Sequence, residues 1–161
     1  MLKNFFVSNS EELTQDWIRI ICKALNTVNQ FREIHNKNEQ YSYYAGQNMG
    51  GNFIGLFAKR RVLSRIKELY SCQIKAGLGG MTKNKGSCAL RFRVDNTTFA
   101  LLNCHLASGD AIKSRTEMIK MILSEAFGKA KTLPRAMAHH CVFLFGDLNF
   151  RVQMSNSLAR E

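Results

Sequence analysis

Apolar residues recur at helical spacing after Ser10: Leu13, Trp17, Ile20, Ile21, Ala24, Leu25 and Val28. Ser10 followed by Glu11 and Glu12 suits a helix start, and the spacing predicts a helix from there to about Ile34. The period then shortens. Tyr41 to Ala45 predicts a short strand, Gly50-Gly51 a turn, and Asn52 to Lys59 a strand buried on both sides. Ser71 to Ala76 is a further strand. From Cys88 to Val94 the pattern alternates, with Leu90, Phe92 and Val94 on one face and Arg91 and Arg93 on the other. Asp95-Asn96 predicts a hairpin turn and Thr97 to His105 the returning strand. Ala111 to Lys131 predicts a second helix, with Ile112, Met118, Ile119, Ile122, Ala126 and Phe127 on or near one face. Pro134 lies beyond its end. His140 to Phe145 is a last strand. The layout is mixed α/β in one unit, with no repeat or interdomain linker.

Composition narrows the class. The chain has 161 residues, 45% of them hydrophobic, and a single proline. That is enough for one folded domain with a core, and it excludes a disordered tail. The apolar runs are too short to span a bilayer as a helix, and the N-terminal stretch lacks the apolar core of a signal peptide. Cys22, Cys72, Cys88, Cys104 and Cys141 form no C-x-x-C pair and read as buried thiols of a reducing, cytoplasmic compartment. The 23 Lys and Arg against 12 Asp and Glu give a net charge of +11. This balance favours polyanionic partners: nucleic acid, acidic headgroups or highly phosphorylated small molecules.

Three segments carry candidate chemistry. The apolar run Cys141 to Phe145 leads into Gly146-Asp147-Leu148-Asn149-Phe150-Arg151, a buried strand ending in a tight turn. Asp147 can hold a metal or take a proton from water. Asn149 points the same way if the backbone stays extended, and Arg151 can clamp a phosphate. The segment is a candidate metal-assisted phosphoester site. It also suits a plain Asp-Leu-Asn turn after a core strand, with Arg151 solvated. The stretch Gly77 to Gly86 holds Gly77, Gly79, Gly80 and Gly86 with Lys83, Asn84 and Lys85. Read as a loop, it is either a cradle for phosphate oxygens or a basic hairpin, and it is not a P-loop. His105 ends an apolar strand, where it can donate to a phosphate, move a proton or serve as a hydrogen-bonded structural residue. His35, His139 and His140 read as surface, loop and strand-entry residues, none of them a ligand.

Together these segments resemble the inositol polyphosphate 5-phosphatases of the endonuclease/exonuclease/phosphatase superfamily. Lys83-Asn84-Lys85-Gly86 is similar to the family's G-N-K-G, with Lys83 in place of the first Gly. Asn103-Cys104-His105-Leu106-Ala107 is similar to its N-S-H-L-A, with Cys104 in place of Ser. Gly146 to Val152 match G-D-L-N-[YF]-R-[IV] at every position, and the order and spacing fit, including the helix with Arg115 between the last two segments. The resemblance covers about Tyr41 to Val152. It implies a four-layer α/β sandwich and Mg2+-dependent hydrolysis of the 5-phosphate of phosphoinositides or soluble inositol polyphosphates at a membrane periphery, with no nucleic acid as partner. By position it implies that Asp147 orients and deprotonates the attacking water. Asn149 would hold the scissile phosphate, His105 donate to a phosphate oxygen, Asn84 and Lys85 bind a ring phosphate beside Lys83, and Arg151 support the site.

The departures shape the expectation. The family's Mg2+-binding Glu sits in a Q-E segment expected upstream of Glu11, and neither Gln15-Asp16 nor Glu39-Gln40 matches its context. The metal ligand is therefore unassigned in this chain. The family's P-T-Y-K, W-C-D-R and S-D-H segments would follow Val152. Residues 1–161 thus read as the N-terminal and central part of one such domain, truncated at both ends, inactive alone, and prone to self-association through an uncovered apolar face and open strand edges. Two other readings stand beside it: a non-catalytic phosphoinositide-binding module and a superfamily nuclease acting on nucleic acid.

Overall fold

The structure, a computed structural model, describes residues 2–31, 36–77, 82–128, 132–151, 154, 155 and 157–160, without the side chains of 2–11, 28–31, 82 and 159. Helix α1 (Leu2–Phe31) leads into strands β1 (Tyr41–Met49) and β2 (Asn52–Lys59). A single helical turn α2 (Arg60–Leu63) precedes β3 (Ile66–Gly77), β4 (Thr82–Val94), β5 (Thr97–His105), helix α3 (Ile112–Glu125) and β6 (Cys141–Asp147). β1 and β2 form an antiparallel hairpin, and the other strands form one sheet in the order β3-β4-β5-β6. β6 is parallel to β5, reached through the α3 crossover as a parallel pair requires.

The β3–β6 sheet carries core residues on both faces. On one face Ala89, Ala100, Leu102 and Cys104 pack with Met118, Ile122, Ala126 and Phe127 from α3 and the turn after it. On the other, Cys88 and Leu90 pack with Met49 and Ile54 of the hairpin. Asn26 of α1 closes the outer layer by donating to the Tyr41 carbonyl at 3.0 Å and accepting the Tyr41 N–H at 2.8 Å. The layers therefore run helix, sheet, hairpin, helix, the four-layer α/β arrangement.

Several sequence expectations are corrected. α1 starts at Leu2 rather than Ser10, because Leu2 to Ser10 holds no Pro or Gly to break a helix. The stripe Leu13, Trp17 and Ile20 is exposed, while Ile18 is the buried contact. β2 is not buried on both sides: Ile54 alone is fully buried, since the hairpin forms a thin layer. α3 ends at Glu125 rather than Lys131, where Phe127 turns left-handed at φ 67. Ile34, His35 and Lys131 lie outside the described residues. Arg91 does oppose Leu90, yet it is 3% exposed and donates from Nε to His139 Nε2 at 3.0 Å. His139 lies in a loop as expected, and there it is a buried hydrogen-bond partner whose Nδ1 faces the Ala136 carbonyl at 2.9 Å.

Phe143 and Phe145 of the edge strand β6 are 53% and 42% exposed. Together with the Leu13–Trp17–Ile20 stripe they leave apolar surface open to water. Sedimentation of residues 1–161 is expected to show concentration-dependent association, and Phe143→Glu with Phe145→Glu to reduce it. A monomer at all concentrations would contradict this.

Candidate functional site

The site lies where three strands meet. The registers pair Gly86 with His105 and His105 with Asp147, so β4, β5 and β6 bring these positions into one row. Lys85 Nζ stands 2.7 Å from His105 Nε2, and Asp147 Oδ2 stands 3.4 Å from the same nitrogen. That nitrogen can accept a proton from Lys85 or donate one to Asp147, but not both. A cation, an imidazole and a carboxylate thus share one corner, with Asp147 well exposed at 62% of its side chain.

Glycines allow this convergence. Gly86 (φ 138) and Gly146 (φ 113) adopt conformations that other residues rarely take. A Cβ on Gly86 would overlap the Ile74 carbonyl oxygen, and one on Gly146 the Cys104 carbonyl oxygen. The strands can approach only because both side chains are absent. The hairpin end is stitched to β5 beside them: Asn52 Nδ2 donates to the Asn103 carbonyl at 2.9 Å, and Asn103 Nδ2 to the Phe53 carbonyl at 2.7 Å.

The segment after Asp147 forms the expected tight turn, so the condition that Asn149 stay extended is not met. Gly146 and Asn149 (φ 55) turn the chain, the Asn149 N–H donates to Asp147 Oδ1 at 3.2 Å, and Asn149 Nδ2 donates to the Leu106 carbonyl at 3.0 Å. Asn149 thus meets the His105 segment by a fold-back rather than by alternation. The Leu106 N–H donates to the Asp147 carbonyl at 2.9 Å, so the two segments are bonded twice. The Asp-Leu-Asn turn presents the Asp147 carboxylate beside His105.

The glycine-rich stretch also differs from the expected loop. Lys83, Asn84, Lys85 and Gly86 lie on β4, paired with β3 from Gly77↔Thr82 to Lys75↔Gly86 across an irregularity. Gly79 and Gly80 lie outside the described residues. Lys83 and Asn84 are exposed, and the hairpin turn reaches Lys83, whose carbonyl lies where a Cβ on Gly50 would meet it at 2.9 Å. Arg151 is exposed and outside the Lys85–His105–Asp147 contact, and Val152 is not among the described residues.

Cys104, beside His105, points into the core under α3, and burial raises its thiol pKa. Burial pushes Cys88 up to about 12. Burial thus favours the neutral thiol at both positions and disfavours a reactive thiolate. Among the described residues no group of three or more His, Cys, Asp or Glu could hold a metal ion. Asp147 offers one carboxylate, whereas Mg2+ takes six oxygens in near-octahedral geometry. Mg2+ usually keeps several waters and takes one or two protein carboxylates with phosphate oxygens, so this corner offers a partial ligand set rather than a complete one.

Sequence reasoning missed Arg115 as part of this corner. It is 1% exposed and donates from Nη1 to the Ala107 and Gly109 carbonyls at 3.0 and 2.7 Å. Its signal was its spacing, since Arg115, Met118 and Ile122 form the buried face of α3.

Residues 2–161 match the endonuclease/exonuclease/phosphatase family 2. The chain belongs to this family. A Schizosaccharomyces pombe protein named a probable inositol polyphosphate 5-phosphatase is 34% identical over 130 residues, covering 71% of this chain and 11% of that protein. The phosphatidylinositol 4,5-bisphosphate 5-phosphatase A of Mus musculus is 34% identical over 141 residues, covering 87% of this chain and 13% of that protein. The crystal structure of the inositol polyphosphate 5-phosphatase domain of a synaptojanin, in complex with inositol (1,4)-bisphosphate and calcium ion, superimposes with a TM-score of 0.70 at 23% identity. It covers 90% of this chain and 40% of that one, and it bears out the expected fold. The chain spans only about a tenth of these curated relatives and two-fifths of that domain structure.

Proposed function

We propose that residues 1–161 carry the phosphate-handling part of a Mg2+-dependent inositol polyphosphate 5-phosphatase domain, one that continues beyond both ends of this stretch. The observation that carries the reading is the meeting of Lys85, His105 and Asp147 at the ends of three strands. Hydrolysis of a phosphate monoester needs a positioned water, a base for its proton and neutralisation of charge on the phosphoryl oxygens. In this reading the Asp147 carboxylate takes a proton from the attacking water as the water oxygen joins phosphorus, the bond from phosphorus to the ring oxygen breaks, and that oxygen takes up a proton to leave as the alcohol. His105 donates to a phosphoryl oxygen. The second hydrogen of Asn149 Nδ2, beyond its bond to Leu106, serves the same group. Lys85 and Asn84, with Lys83 beside them, hold a ring phosphate, and Arg151 adds positive charge further out.

Mg2+, when bound, would supply further charge neutralisation. The described residues offer it only a partial ligand set, and residues 1–161 alone are expected to show little or no turnover. The substrates proposed are the 5-phosphates of phosphoinositides or soluble inositol polyphosphates. The working place is the cytoplasmic side of a membrane periphery, consistent with the net charge of +11.

The test is binding. Lys85→Ala in the full-length protein should weaken affinity for an inositol polyphosphate by about 10-fold or more, as loss of a charge-assisted bond does. Duplex DNA should compete poorly. Unchanged affinity in the variant, or displacement by DNA at lower concentration than by inositide, would overturn the reading.

A further inference from the structure

Arg115 lies in the first turn of α3, and a guanidinium so fully removed from water is costly unless its donors and charge are satisfied. No carboxylate satisfies it: none of the ion pairs among the described residues includes Arg115. Its Nη1 spans the carbonyls of Ala107 and Gly109, its Cζ lies 5.1 Å from the Phe150 ring centroid, and its buried Nε has no hydrogen-bond partner. Leucine would fill this core position without such a penalty, so packing alone does not account for the arrangement.

Among the described residues its partners come from two places. Ala107 and Gly109 belong to the loop that follows His105, and Phe150 follows Asn149. The planar fork and flat face of arginine suit this pairing, edge on two carbonyls and face towards a ring, in a way that lysine cannot reproduce. Along with the Leu106–Asp147 and Asn149–Leu106 bonds, Arg115 makes a third tie between the segment bearing His105 and the turn bearing Asp147 and Asn149.

We propose that Arg115 is a positioning residue for phosphate-ester hydrolysis, fixing the separation of His105 from the Asp147–Asn149 turn without touching substrate. The inference rests on the 5-phosphatase reading above. Its effect is on geometry at the reacting phosphate, where displacement of about 1 Å lowers turnover roughly 100-fold.

The test uses the full-length protein with a soluble 5-phosphorylated inositol phosphate and Mg2+, well below the Tm of each variant. Arg115→Met should lower kcat about 100-fold and leave KM within about threefold, because ground-state phosphate contacts persist. Arg115→Lys, which keeps the charge and one donor, should recover part of kcat. Phe150→Leu alters a ring that is half exposed, so folding should survive, and it should lower kcat in the same direction. Combined with Arg115→Met it should lose less than the product of the single effects. A purely structural arginine would lower Tm and leave kcat of the folded protein intact, and that result would overturn the proposal. Should Arg115→Met fail to fold, unchanged kcat in both Arg115→Lys and Phe150→Leu would overturn it equally. A wild type without turnover refutes the functional reading itself. An active wild type with unaltered variants refutes only the role of Arg115.

Discussion

Asp147→Ala in the full-length protein is expected to lower kcat by about 10³-fold or more, with the substrate affinity changed far less. The carboxylate sits at the end of β6, 62% exposed, and contacts His105 from a turn whose other bonds involve its backbone or its Oδ1 acceptor. Removing it deletes the proposed base while Lys85 and His105 remain to hold phosphate. Steady-state kinetics alongside equilibrium binding of a substrate analogue would check this. Equal loss of kcat and of binding would instead assign Asp147 to substrate recognition. Turnover near wild type would remove it from the chemistry.

Gly146→Ala is expected to destabilise the fold by about 3 kcal/mol or more, although it adds a single methyl group. The residue has φ 113, and its Cβ would meet the Cys104 carbonyl oxygen, the Asn103 side-chain oxygen and, at 2.9 Å, the Cys104 nitrogen. These are backbone and stitched side-chain atoms of β5, which cannot yield without opening the β5–β6 pairing that sets His105 opposite Asp147. Gly51→Ala is the control. No atom lies within 4 Å of its Cβ, so its effect should stay within about 1 kcal/mol. Denaturant unfolding of the two variants would separate them, and equal stabilities would contradict the packing described here.

The elements legible in the sequence were those whose burial is decided by their own pattern. β5 spans Thr97–His105 as expected, and the Asp95-Asn96 turn and the bounds of β2, though not its burial, also fall where expected. Less legible was structure imposed by neighbours. β3 begins at Ile66, five residues before the apolar pattern shows it, because Lys67, Glu68 and Leu69 are exposed at the sheet edge. The Glu68 carboxyl is bonded there by Arg93 and Arg91, which hold it below its ordinary value. Lys83 to Gly86 read as a loop because glycine and lysine are poor strand formers, yet they belong to β4, with Thr82 and Gly86 paired to β3 on either side of an irregularity.

The candidate site was legible as residue types but not as contacts. Motif resemblance named Lys85, His105 and Asp147, and strand register brings these three within hydrogen-bond or ion-pair distance. It could not show that Asn149 folds back onto Leu106, since that depends on left-handed geometry at residue 149. Nor could it show Arg115 buried, because an arginine on a helix usually lies in water and only the loop carbonyls above it make burial tolerable.

The proposed role of this chain is to hold and position the 5-phosphate of an inositide substrate. The most direct test is to incubate the full-length protein with Mg2+ and vesicles containing phosphatidylinositol 4,5-bisphosphate, and to identify the lipid product. The account predicts phosphatidylinositol 4-phosphate with release of one phosphate. Release from the 4-position, or no release from a folded protein that nicks duplex DNA instead, would contradict it.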